Sequence, residues 1–190
     1  MLNLRAKKEQ QAAKAAAAKA AGVAPLHRAP SIRTAMVVRD LDSLDLPRTV
    51  RLVHPNPAVP RDFYIIVSPD EGIWKDGRFK FVFNFPDDYP NKPPVLRCET
   101  MVLHPNLHPD GRCCLNILHD TEWSPALSIQ AVIFGLLFLF YEPNASDPLN
   151  IPAAEEMKAG LEAFKQKVRR TFQGGVFDGL TYERQPINYS

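Results

Sequence analysis

The chain predicts an α+β domain, because four short β-branched or aromatic runs come one after another, two strongly helical stretches follow them, and a long irregular segment lies between. A basic arm comes first. Residues 1–29 are rich in Ala, Lys and Gln, carry six Lys or Arg against the single acid Glu9, and run into Gly22, Pro25 and Pro30. No apolar stripe wide enough to pack interrupts them, so they read as a flexible docking arm, with the folded domain at 30–190. An organellar transit peptide is also basic and acid-poor, but this stretch lacks Ser and has little Arg; nor does it hold the continuous apolar core of a secretory leader.

Ser31 is placed to cap a helix in which Ile32, Met36, Val37, Leu41 and Leu44 recur at helical spacing, and Pro47 stops it. Residues 49–53, 63–67, 79–85 and 95–98 then read as strands separated by Pro, Gly or Asp turns. Alternation puts Phe81, Phe83 and Phe85 on one face. Short connections require antiparallel pairing, hence a four-stranded meander. Residues 101–127 show few strand or helix signals, and an irregular segment of that length inside a compact domain is usually functional. Ser128 caps a run at 129–141 that is apolar nearly all round, which predicts a central helix sandwiched on both sides and too short to span a bilayer. Pro152 opens one C-terminal helix with Ala154, Met157, Leu161, Phe164 and Val168 on its buried face, ended by Gly174 and Gly175.

With 190 residues, 45% hydrophobic and 23% charged, the chain supports one core plus a tail. Lys and Arg number 23 against 21 acids, which gives no nucleic-acid footprint. Cys98, Cys113 and Cys114 are odd in number and two are adjacent, so neither a disulfide framework nor a zinc site is expected, and a reducing compartment is. No metal, cofactor, nucleic acid or membrane partner is called for.

The chemistry concentrates in His104-Pro105-Asn106-Leu107-His108-Pro109-Asp110-Gly111-Arg112-Cys113-Cys114-Leu115-Asn116-Ile117-Leu118. Cys98 sits among apolar strand residues and reads as a small hydrophobe. Cys113 and Cys114 both follow Gly111, and which of them faces solvent depends on a backbone direction that the residues alone leave open.

The His-Pro-Asn run, the eight residues from Asn106 to Cys114, the following Leu115-Asn116-Ile117-Leu118, the upstream Tyr89-Pro90-Asn91-Lys92-Pro93-Pro94 and the downstream Trp123-Ser124-Pro125-Ala126 together resemble the ubiquitin-conjugating enzyme family. The resemblance covers about residues 30–172 and implies that family's fold. It makes Cys114 the thioester cysteine and Cys113 a neighbour without chemistry. A thiolate suits the task, being both a strong nucleophile and a good leaving group. Asn106 matches the family's asparagine, which either donates to the tetrahedral oxyanion or holds the loop by bonds to backbone. Asp147 matches the acid that orients and deprotonates the incoming lysine, and by itself also reads as a turn residue before Pro148. His104 reads as structural and His108 as a gate residue. Phe85, Pro125 and Ala126 correspond to the patch that receives a RING-type ligase, although the alternation of Phe85 with Phe81 and Phe83 equally assigns it to the core.

Met1-Leu2-Asn3-Leu4, the run Asp40-Leu41-Asp42-Ser43-Leu44-Asp45-Leu46-Pro47 and residues 123–148 resemble fungal members of the neddylation branch. That implies a monomer of cytoplasm and nucleus that takes its ubiquitin-like modifier from the neddylation activating enzyme and passes it to cullin lysines. Met1, Leu2 and Leu4 would dock on the activating enzyme and, once the terminus is acetylated, on a co-ligase. Two departures stand out: Arg5 replaces the bulky apolar residue of some members, and one extra residue lies between Leu118 and Trp123. The rival readings are another conjugating branch, a cysteine hydrolase pairing Cys114 with a loop histidine, and a non-catalytic scaffold of the same fold. The last would lack the cysteine that this chain keeps.

Overall fold

The structure, a computed structural model, describes residues 32–56, 58–59 and 61–189. The docking arm with Met1, Leu2 and Leu4, and the capping Ser31, lie outside the described residues. Helix α1 (Ile32–Asp42) ends short of Pro47. Its last turn is closed by Ser43, whose N–H bonds Arg39 O at 3.2 Å and whose hydroxyl bonds Asp40 O at 2.9 Å.

Strands β1 (Val50–Val53), β2 (Tyr64–Val67), β3 (Phe79–Asn84) and β4 (Val95–Cys98) form an antiparallel sheet in chain order. The register aligns Leu52, Ile65, Phe81 and Cys98 in a row that faces the core. The alternate rows, Arg51 with Ile66 and Lys80, and Val53 with Tyr64, Val82 and Arg97, face outward. Phe85 falls just past β3 and is half-buried.

Helix α2 (Ile129–Tyr141) starts where the sequence places it, with the Ser128 hydroxyl accepting the Ala131 N–H at 3.3 Å. It is not sandwiched on both sides. Val132, Ile133, Leu136, Leu137, Leu139 and Phe140 are buried, while Phe134 and Phe138 remain 44% and 62% exposed. An apolar circumference does not bring a second layer of chain to cover it, and here one stripe is left bare.

The single C-terminal helix expected from periodicity is two helices, α3 (Ile151–Ala159) and α4 (Leu161–Phe172). Gly160 is extended at the break; its N–H still bonds Glu156 O at 3.3 Å and its carbonyl accepts the Phe164 N–H at 2.9 Å, so one residue closes one helix and opens the next. The turn buries Phe164 and Val168 and leaves Leu161, counted on the same face by spacing, 46% exposed. Pro152 lies in the first turn of α3 as expected, and Asn150 caps the helix by accepting the Ala153 N–H at 3.2 Å. A hairpin of β5 (Val176–Phe177) and β6 (Leu180–Thr181) follows, turned by Asp178 and Gly179, both at positive φ. This is the Asp-Gly hairpin signal, which the reading of the sequence passed over. Among the described residues no helix is long and apolar enough to cross a membrane.

Candidate active site

The irregular loop is pinned from inside by a histidine. His104 is fully buried, stacked on Trp74 with ring centroids 4.2 Å apart. Its Nδ1 accepts the Asn106 N–H at 2.9 Å, so Nε2 carries the proton and donates to Leu139 O of α2 at 3.0 Å. Burial holds its pKa down at about 3, so the ring is neutral. The structural role expected of His104 is the one its bonds describe.

Asn106, 2% exposed, joins two loops. Its backbone carbonyl accepts the Cys114 N–H at 3.0 Å. Its side-chain amide donates to Asn144 O at 2.8 Å and Asp147 O at 3.2 Å, and its Oδ1 accepts the Asn144 N–H at 2.9 Å. Of the two readings left open for this side chain, loop holding is the arrangement present. Both amide hydrogens are committed to backbone carbonyls of the facing loop.

A tight turn delivers the cysteines. Asp110 accepts the Arg112 N–H at 3.0 Å and its guanidinium Nε–H at 2.9 Å. Hydrogen bonds from the Arg112 amide first and from its side chain hold this carboxyl at about 2. His108 Nδ1 accepts the Asp110 N–H at 3.2 Å, so the residue read as a gate braces the turn. Gly111 has φ +92°, and a Cβ there would stand 2.4 Å from Cys98 O. Only glycine fits.

The three thiols separate cleanly. Cys98 is buried in β4, and desolvation lifts its pKa well above the ordinary thiol value. Cys113 packs against the core with its thiol 3.5 Å from Gly111 O, and burial pushes it up to about 12. Cys114 is half-buried and is raised less, by desolvation first and by the Asp147 carboxylate second. It stands on the wall between two hollows. One, of about 670 Å³, runs past Pro94, Leu96 and Arg97 to Leu118 and His119. The other, of about 210 Å³, is bounded by Asn116, Phe138, Glu142 and Asp147. Phe138 and Glu142 were not singled out from the sequence; a large aromatic at the end of an otherwise buried helix is visible as a signal only once burial is known.

Away from the thiol, Phe85 touches the core edge, with ring centroids 5.9 Å from Phe63 and 4.9 Å from Tyr89. Tyr89 lies 6.3 Å from Trp123, whose indole N–H donates to Pro90 O at 2.7 Å. This aromatic chain links the Phe85 loop to the loop carrying Pro125 and Ala126, which are both exposed. Before Trp123 the chain makes an exposed turn, where the Glu122 and Trp123 N–H groups both bond His119 O, at 2.9 and 2.8 Å.

Chemically the site offers an accessible thiol, an acid beside it, and no general base paired to the sulfur. Among the described residues no histidine hydrogen-bonds Cys114, which disfavours a Cys–His hydrolase.

The family model described as ubiquitin-conjugating enzyme matches residues 48–172. The NEDD8-conjugating enzyme UBC12 of Yarrowia lipolytica is 40% identical over 183 residues, covering 96% of this chain and 97% of that one. The Saccharomyces cerevisiae NEDD8-conjugating enzyme UBC12 is 45% identical over 152 residues, 76% of this chain and 80% of the relative. A solved structure of S. cerevisiae Ubc12 superposes with a TM-score of 0.76 at 37% identity, covering 96% of each chain.

Proposed function

The chain belongs to the ubiquitin-conjugating enzyme family, and from that premise we propose that it holds its modifier as a thioester on Cys114 and hands it to a substrate lysine. It is a ubiquitin-like-protein conjugating enzyme of the neddylation branch, working with the activating enzyme and the modifier of that pathway. The observation that carries the residue assignment is that burial raises the Cys114 thiol least of the three and that Cys114 shares one hollow with Asp147.

In loading, the Cys114 sulfur attacks the thioester carbonyl on the activating enzyme. The tetrahedral oxyanion collapses, the activating enzyme's sulfur leaves, and it takes up the proton that Cys114 gave. In discharge a lysine amine attacks the Cys114 thioester, an isopeptide bond forms, and the Cys114 sulfur leaves. An unperturbed lysine is almost wholly charged at neutral pH and must lose its proton first. Asp147 orients and takes that proton. Asn106 is a positioning residue, because its side chain ties the Asp147 loop to the strand of chain that bears Cys114. The bare Phe134 and Phe138 stripe leading to the hollow fits a globular modifier resting on α2.

The finer partners extend this reading. A RING-type ligase docks at Phe85, Pro125 and Ala126; cullin lysines are the acceptors; the arm residues Met1, Leu2 and Leu4 engage the activating enzyme and co-ligase; the chain acts as a monomer in cytoplasm and nucleus. The test is incubation with activating enzyme, ATP and either NEDD8 or ubiquitin, followed by a non-reducing gel. A thiol-sensitive NEDD8 adduct that Cys114→Ala abolishes and Cys113→Ala keeps is the expected result. An adduct surviving in Cys114→Ala overturns the assignment.

A further inference from the structure

A glycine inside a helix weakens it, because its backbone loses more freedom on folding than that of an alanine. Gly135 lies near the middle of α2 and carries that cost. The fold itself does not ask for it. Its φ is not positive, and a Cβ built there would meet Ile117 Cδ1 and Leu115 Cδ2 at 3.5 Å each, which is ordinary van der Waals contact. At Gly111 the same atom would stand 2.4 Å from a backbone oxygen. An alanine at 135 would be accommodated, and the helix would gain by it.

What an alanine would take away is space. Gly135, Phe138, Leu139 and Glu142 follow one another at intervals of three and four, so they share one face of α2 and form one wall of the 210 Å³ hollow beside Cys114. Leu115 and Ile117, at the turn Asn116–Leu118, belong to the other wall. A methyl group on Gly135 would touch both of them and narrow the passage between the walls.

That passage joins the bare stripe to the sulfur. Phe134 and Phe138 are exposed one turn apart on α2, and Phe138 also borders the hollow whose lining includes Cys114. A modifier resting on the stripe must run its last residues through the hollow for its terminal carbonyl to reach Cys114. Glycine is the residue that lets a backbone come close to a bound chain. We propose that Gly135 is a positioning residue for the acyl donor: its missing side chain opens the hollow to the extended C-terminal tail of the modifier and selects tails whose last residues carry little or no side chain. The proposal rests on the thioester reading of Cys114. A tail held between the two walls fixes the acyl carbon for attack by the lysine amine, whereas a tail pushed out of them lets that carbon swing away.

The test compares Gly135→Ala with the native full chain. The substitution should raise the melting temperature by about 2 to 4 °C, so slower chemistry is not a sign of a weaker fold. Single-turnover discharge of the NEDD8 thioester is followed over a range of lysine concentrations. The maximal rate should fall about tenfold or more, while the lysine concentration that gives half of it stays the same. A structural readout accompanies the kinetics: NEDD8 joined as an oxyester to a Cys114→Ser chain should slow amide exchange over residues 115–117, and adding Gly135→Ala should remove most of that slowing. Discharge as fast as in the native chain, or slowing of exchange that survives Gly135→Ala, overturns the proposal. So does a higher lysine requirement at an unchanged maximal rate, which would give the hollow to the acceptor, and so does a lower melting temperature, which would give the glycine a packing role. A native chain that forms no thioester at all is a separate failure, that of the reading of Cys114.

Discussion

At Cys114 burial and the Asp147 charge act in the same direction, both against the thiolate. The free thiol therefore stays mostly protonated at neutral pH, whereas the acylated sulfur carries no charge for Asp147 to repel. The same field that slows stray reactions of the free enzyme leaves the loaded one unpenalised. Asp147→Asn should lower the thiol pKa and speed alkylation of Cys114 at neutral pH, while discharge to free lysine slows about 100-fold. Slower alkylation would mean that the carboxylate does not act on the sulfur. Asn106→Ala leaves the Asn144 N–H without its acceptor and should cost about 1 to 3 kcal/mol in urea unfolding. Discharge should suffer more than loading, since the loop it releases carries Asp147. His104 predicts an acid limb. Its folded pKa of about 3 lies below the ordinary 6.5, so below that pH the unfolded chain binds a proton that the folded one refuses. Its contribution is complete above pH 6.5 and falls by up to about 1.4 kcal/mol per pH unit on the way down. Unfolding at pH 7, 5 and 4 would measure the slope, and a variant His104→Gln should flatten it.

The element that matters most to function is α2, because it serves the core and the site from opposite faces. Its buried side packs on the sheet and receives the His104 bond at Leu139. Its bare side carries Phe134 and Phe138 to the hollow beside Cys114. Phe138→Asp changes an exposed side chain, so the melting temperature should stay close to that of the native chain. Lysine discharge with NEDD8 loaded should nevertheless slow about tenfold or more, because interfaces lose most from their exposed aromatics. Equal discharge rates would leave the stripe without a role. The start of the helix rests on a cap. Ser128→Ala should cost about 1 kcal/mol without altering the site.

Across the whole molecule, a reactive loop is hung between the sheet and the central helix, and the edge proposed to receive a ligase carries Phe85, Pro125 and Ala126 on two other loops. The rings of Phe85, Tyr89 and Trp123 join the two loops of that edge. Ala126→Asp adds a charge to an exposed position, so fold and loading should persist while ligase-stimulated discharge is lost. Unchanged stimulation would move the ligase elsewhere. Removing residues 1–28 should leave Cys114 loadable but slow loading by the neddylation activating enzyme, which a time course of the thioester would measure.

The sequence by itself determined the order of the first helix, the four sheet strands and the central helix, the cap at Ser128 and the loop that holds the chemistry. Each of these depends on neighbours a few positions apart, and periodicity, turn residues and motif spacing report such neighbours directly. The motif resemblance singled out Cys114, and tertiary structure supplies the physical difference between the two adjacent thiols. Cys113 and Cys114 are adjacent in sequence and chemically identical, and only the Gly111 turn against Cys98 sends one inward and leaves the other beside Asp147. It decided likewise that the Asn106 amide holds a loop 38 positions away, that Gly160 breaks a helix whose spacing looks continuous, and that Phe138 stays bare on a helix apolar all round. Burial and long-range hydrogen bonds arise from segments meeting in space, and no local pattern in the chain records where they meet.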